Sequence, residues 1–179
     1  MLRDGALIPG SLQSGVAVGL STIRDAWSTI RDEALAVRER MLPVFDGRAD
    51  SGLWKVLPLW TEPEDSGRFP PDLCTSCRAL TPRTTAIVES VPGILACMFS
   101  MVAPGGRILP HRHHNPFLTV SLCLQSGGDS FIVVGRDRTD YRDGELIVFD
   151  YRQMHEVVNR GHADRIALLL LVENRHGQP

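Results

Sequence analysis

From Gly93 to Glu173 the sequence is a succession of short apolar segments, each closed by glycine, aspartate or asparagine. Ile94–Met101 runs into Pro104-Gly105-Gly106, and Phe117–Gln125, Ser130–Gly135, Glu145–Phe149, His155–Val158 and Arg165–Glu173 follow. β-branched and apolar runs of this length between turn residues read as strands. Six or more of them at even spacing read as a small antiparallel barrel or jelly roll, because short strands with polar turns bury their apolar faces most completely by closing on themselves. A chain of 179 residues, 43% of them hydrophobic, suits one domain with a closed core.

Ahead of the strands lies a segment of different periodicity. Ile23, Trp27, Ile30, Ala34, Val37 and Met41 recur at alternating intervals of four and three, one stripe along a helix, with Arg24, Asp25, Arg31, Asp32, Arg38 and Glu39 outside it. Ser21 as N-cap and Pro43 as terminator predict a helix over 21–42, packed on the outside of the barrel. Residues 43–93, rich in Pro, Gly and Asp, predict an irregular lead-in with short strands; 94–176 is then the barrel core and 1–20 an N-terminal arm. Cys74 and Cys77 have C-x-x-C spacing but no second pair to complete a zinc site. Pro70, Pro71 and Pro82 around them predict a loop, in which the cysteines are structural or disulfide-linked. Residues 1–20 and 60–72 carry no motif and are read as lid or homodimer segments.

The charge balance, 19 basic against 21 acidic residues, offers no positive excess for a nucleic acid. No apolar run approaches the ~20 residues needed to span a bilayer, and the first residues lack a signal-peptide core. The expectation is a cytoplasmic chain with neither nucleic acid nor membrane as partner.

Chemistry concentrates in the histidines. His111, His113 and His114 form an H-x-H-H run, and His155 falls on a separate predicted strand. Imidazole is the commonest protein ligand of borderline transition metals. Strand alternation gives His111 and His113 one facing and turns His114 away, with His155 reaching them from a neighbouring strand. A polar loop is the alternative reading of the same run.

The neighbouring residues narrow the choice. Gly105, His111 and His113 resemble the first cupin motif, and Gly144, His155 and Asn159 resemble parts of the second, though its Pro-x-Gly is missing. A closer resemblance is to the aspartyl/asparaginyl β-hydroxylase family, Fe(II)- and 2-oxoglutarate-dependent oxygenases on a double-stranded β-helix. It is carried by Ser100-Met101-Val102-Ala103-Pro104-Gly105 leading to Pro110-His111, by Val148-Phe149-Asp150, by His155-Glu156-Val157, by Asp164-Arg165, and by the helical Ile30–Val37. The resemblance implies a mainly β, cupin-like jelly-roll barrel with the N-terminal amphipathic helix packed outside. It implies His111 and His155 as Fe(II) ligands, and Arg165 with Ser100 on the distal carboxylate of 2-oxoglutarate. The implied reaction is hydroxylation of a C–H bond in an amino-acid-like, peptide or small-molecule substrate.

Two positions depart from the family. His113 stands where Gly or Asp is usual; it either completes a three-histidine metal site, as in cupin-type enzymes that use no 2-oxo acid, or points aside. The next strand offers Thr119 and Ser121 where an Arg and a His normally lie near the cosubstrate's 1-carboxylate. Arg107, Arg112 and Arg136 are the candidates to compensate. A non-catalytic small-molecule-binding barrel is the remaining reading.

Overall fold

A computed structural model describes residues 14–45, 47–49, 52–61 and 67–173. The alternation along the strand Phe117–Gln125 (β5) shows how the molecule is layered. Leu118, Val120, Leu122 and Leu124 enter one buried cluster, while Cys123 enters a second and Thr119 and Ser121 line a cavity beside it. Arg165–Glu173 (β10) divides the same way: Ile166, Leu168, Leu170 and Val172 to the first layer, Arg165, Leu169 and Leu171 to the cavity. Successive side chains of a strand point to opposite faces, so a sheet covered on both sides reads as a nearly continuous apolar run.

β5 and β10 are the centre of a six-stranded antiparallel sheet. Its order is β1 (Leu42–Pro43), β2 (Trp54–Trp60), β3 (Ile94–Val102), β10, β5, β8 (Leu146–Asp150). A second, four-stranded antiparallel sheet has the order β4 (Arg107–His111), β9 (His155–Asn159), β6 (Ser130–Val134), β7 (Asp137–Asp140). Val102, Cys123, Ile147 and Phe149 of the large sheet meet Ile108, Ile132 and Val157 of the small one, closing the barrel. The fold is thus a mainly β, double-stranded β-helix, with helices against the outer face of the large sheet.

The barrel's ends are turned by residues of the motifs read above. Gly105 follows Pro104 in the turn from β3 to β4 with φ of 75°, a left-handed conformation that a side chain disfavours. Its N–H donates to the Asn159 carbonyl at 2.9 Å. The fully buried Asn159 amide donates to the carbonyls of Val102 and Ala163 at 2.8 and 2.9 Å, tying β9 to the ends of β3 and β10. Asn159 is therefore a structural clamp.

The apolar stripe of the N-terminal segment packs as expected: Ile23, Ile30, Ala34, Val37 and Met41 are buried against the large sheet. The single helix over 21–42 is corrected. The chain forms α1 (Ser14–Asp25) and α2 (Trp27–Ala36), separated at Ala26, where φ is −90° and ψ 8°, and ends in a 3-10 turn at Arg38–Arg40. Ser21 lies inside α1 and caps nothing, because the helix is already under way. Of the expected arm, residues 1–13 lie outside the described residues.

The irregular lead-in is also corrected. It supplies β2 to the large sheet and two helices, α3 (Pro71–Leu80) and α4 (Pro82–Glu89). Prolines that suggest a loop stand here at helix starts, where no backbone N–H is needed and a fixed φ favours the first turn. Cys74 and Cys77 are consequently on α3, buried and unlinked. The Glu33 carboxylate of α2 caps α4 from outside, accepting the N–H groups of Arg83 at 3.0 Å and Thr84 at 2.7 Å. Among the described residues no helix is long and apolar enough to cross a membrane.

Candidate metal centre

β4 and β9 pair with His111 directly opposite His155, which sets the two imidazoles side by side with centroids 4.3 Å apart. His155 is buried and His111 half-buried. Each Nδ1 lies 2.8 Å from a backbone oxygen two residues earlier, Leu109 for His111 and Gln153 for His155. A carbonyl can only accept, so Nδ1 carries the proton in both rings and Nε2 presents a lone pair. Burial pushes the His155 imidazole down to about 4, with the Gln153 carbonyl opposing and the charges of His111 and Arg48 adding to the shift. A neutral imidazole is the form that binds a metal.

His113 joins them by a route other than strand alternation. β4 ends at His111 after a register shift between Ile108 and His111. The chain then turns, and the His113 N–H donates to the Tyr151 carbonyl at 3.2 Å while its ring stacks on Tyr151 at 3.6 Å and 7°. His111, His113 and His155 each offer a ligand nitrogen within 4.8 Å of the others. The exposed His114 takes no part. Three imidazoles at this separation can hold one divalent transition metal and leave coordination positions open.

The histidines stand in the wall of a cavity of about 190 Å³ inside the barrel. Arg165, Ser100, Thr119 and Ser121 line the same cavity. Arg165 is only 1% exposed, yet no carboxylate lies within ion-pair distance of it among the described residues. Its Nη1 donates to Ser100 Oγ at 3.4 Å and its Nη2 to the Tyr141 hydroxyl, with the guanidinium carbon 4.1 Å from the Tyr141 ring centroid. Arg165 Nε and the hydroxyls of Thr119 and Ser121 are buried with no partner among the described residues. An uncompensated buried cation beside unsatisfied donors is costly, and an anion would relieve it.

The three arginines expected to compensate on the other side do not reach the cavity. Arg107 pairs with Glu156 on the exposed face of the β4–β9 ladder, and Arg112 and Arg136 are exposed outside the lining. Arg48 and Arg68 line it instead, lying over Trp54 at 5.7 Å and Phe69 at 5.0 Å. Both come from the lead-in, where no motif marks them. Tyr141, just past β7, is another lining residue that sequence reasoning misses.

The aspartyl/asparaginyl beta-hydroxylase family profile matches residues 24–175. The human aspartyl/asparaginyl beta-hydroxylase is 22% identical over 170 residues, covering 88% of this chain and 21% of that protein. An ornithine lipid ester-linked acyl 2-hydroxylase from Rhizobium tropici is 29% identical over 98 residues, covering 51% of this chain and 34% of its own length. The chain thus spans only about a fifth and a third of these relatives. Among solved structures, a cupin-2 domain from Rhodospirillum rubrum superposes with a TM-score of 0.48 and 12% identity, covering 75% of this chain and 70% of that one.

Proposed function

This chain belongs to the aspartyl/asparaginyl β-hydroxylase family, and from that premise we propose that it is an Fe(II)- and 2-oxoglutarate-dependent oxygenase. In this reading it hydroxylates a C–H bond of an amino-acid-like, peptide or small-molecule substrate. The observation that carries the reading is Arg165, a buried guanidinium with an orphaned Nε in the same cavity as three convergent imidazoles. A planar guanidinium binds a carboxylate bidentately and keeps its charge when buried. A metal at one place and a carboxylate receptor at another are what a chelating 2-oxo diacid requires.

The residues present fit both groups. His111 and His155 would hold the metal through Nε2, their rings fixed by Leu109 and Gln153, and His113 stands as a third donor. Arg165 and Ser100 would hold the distal carboxylate, and Thr119 and Ser121, whose hydroxyls have no partner among the described residues, line the same cavity. When bound, iron and 2-oxoglutarate supply the oxidising power. The chain's own work is to orient them, to exclude water with the apolar lining of Val56, Ile108, Ile132, Phe149 and Val157, and to keep His155 neutral.

His113 supports a second reading: a three-histidine metalloenzyme that binds its substrate directly and uses no 2-oxo acid. Adding Fe(II) and 2-oxoglutarate to the protein without oxygen separates the two. A weak visible charge-transfer band is expected for the first. Metal uptake without the band favours the second, and absence of metal uptake removes both.

A further inference from the structure

Around Arg165 the hydrogen bonds run in one direction. Ser100 Oγ accepts from Trp54 Nε1 at 3.2 Å and from Arg165 Nη1 at 3.4 Å. The Tyr141 hydroxyl accepts from Arg165 Nη2. Indole and guanidinium nitrogens can only donate. The oxygen of each hydroxyl is therefore occupied as an acceptor, and its proton is turned to other partners. No acceptor for either proton is found among the described residues, nor for Arg165 Nε–H. All three side chains are buried and line the cavity. Tyr141 also borders an outer groove with Ser126, Asp129 and Asp143.

From this we infer that Tyr141 is a binding residue for the far carboxylate of a dicarboxylic ligand, donating its phenolic proton to the same group that Arg165 and Ser100 hold. The inference rests on the 2-oxo-acid reading above and adds a donor that no motif marks. The arrangement suits a carboxylate, whose two oxygens accept several hydrogen bonds and donate none. It disfavours a ligand ending in a methyl group, which offers none of these buried donors an acceptor. Tyr141 thus helps decide that the ligand is a diacid.

The test is Tyr141→Phe, which keeps the ring under Arg165 and removes only the hydroxyl. Parent and variant are loaded with a redox-inert divalent ion, zinc(II), and titrated calorimetrically with 2-oxoglutarate and with 2-oxopentanoate, which lacks the far carboxylate. The parent is expected to prefer the diacid. The variant should lose about tenfold or more of its affinity for 2-oxoglutarate and about twofold or less for 2-oxopentanoate. A role confined to packing would weaken both equally. An undiminished diacid preference in the variant overturns the inference about Tyr141 and leaves the 2-oxo-acid reading standing. A parent that binds neither ligand, or does not distinguish them, overturns that reading and this inference together.

Discussion

His111 and His155 face one another across the β4–β9 ladder, and each is steered by a carbonyl two residues earlier, Leu109 within β4 and Gln153 in the turn before β9. Local backbone thus fixes the protonated nitrogen of both rings. His155→Ala should therefore fold normally, by circular dichroism, yet fall from about one bound equivalent of metal to almost none, since it removes the buried member of the pair that faces across the ladder. Metal analysis of the folded variant checks this, and unchanged occupancy would remove His155 from the site.

His113 reaches the same place on a turn, backed by the Tyr151 ring. His113→Gly should weaken metal binding about tenfold or more, the scale of losing one ligand without losing the site. Competition with a coloured chelator measures it. Equal affinities in parent and variant would make His113 part of the cavity wall only.

Arg165 makes a prediction of opposite sign for two properties. Arg165→Met keeps most of the buried volume and removes an uncompensated charge. The ligand-free variant should be at least as stable as the parent, with a gain of about 1 kcal/mol. Its affinity for 2-oxoglutarate should fall about tenfold or more, because a charge-assisted contact is lost. Denaturant midpoints and calorimetric titration read the two effects separately.

Glu33 ties α2 to α4. Burial pushes its carboxyl upward, but hydrogen bonds from Thr84 and Arg83 outweigh this and hold it below the ordinary value of 4.5. A carboxylate whose folded value is depressed stabilises the protein above its unfolded value and loses that contribution as pH falls through the folded one. Glu33→Gln should cost about 2 kcal/mol at neutral pH. The deficit should shrink as pH drops below 4.5. Parallel unfolding curves at several pH values test this; a deficit that is constant down to acid pH would show that charge plays no part.

What was legible in the sequence was what alternation writes locally. The strands at Phe117–Gln125 and Arg165–Glu173 match their expected bounds, since both are apolar runs between turn residues. The stripe from Ile23 to Met41 is buried as read, but the break at Ala26 left no mark, because neither proline nor glycine makes it. Asp137–Asp140 has no apolar pattern; it is a strand only because Gly135 turns it back onto β6. His111 and His155 could be read because motifs frame them. Arg48, Arg68 and Tyr141 meet them only through long-range packing, which no local pattern records.

The interleaving of cavity and core along β5 and β10 also governs how such a protein can change. Thr119, Ser121 and Leu169 can be diversified as a set while Leu118, Val120, Ile166 and Leu168 continue to anchor the helices. New ligands are therefore within reach of a lineage, or a library, by substitutions that leave the scaffold's foundations alone. An insertion of one residue in either strand has no such freedom, because it exchanges every inward position for an outward one at a stroke. Innovation in this barrel should accordingly be written as replacements within strands and as changes of length only in the turns.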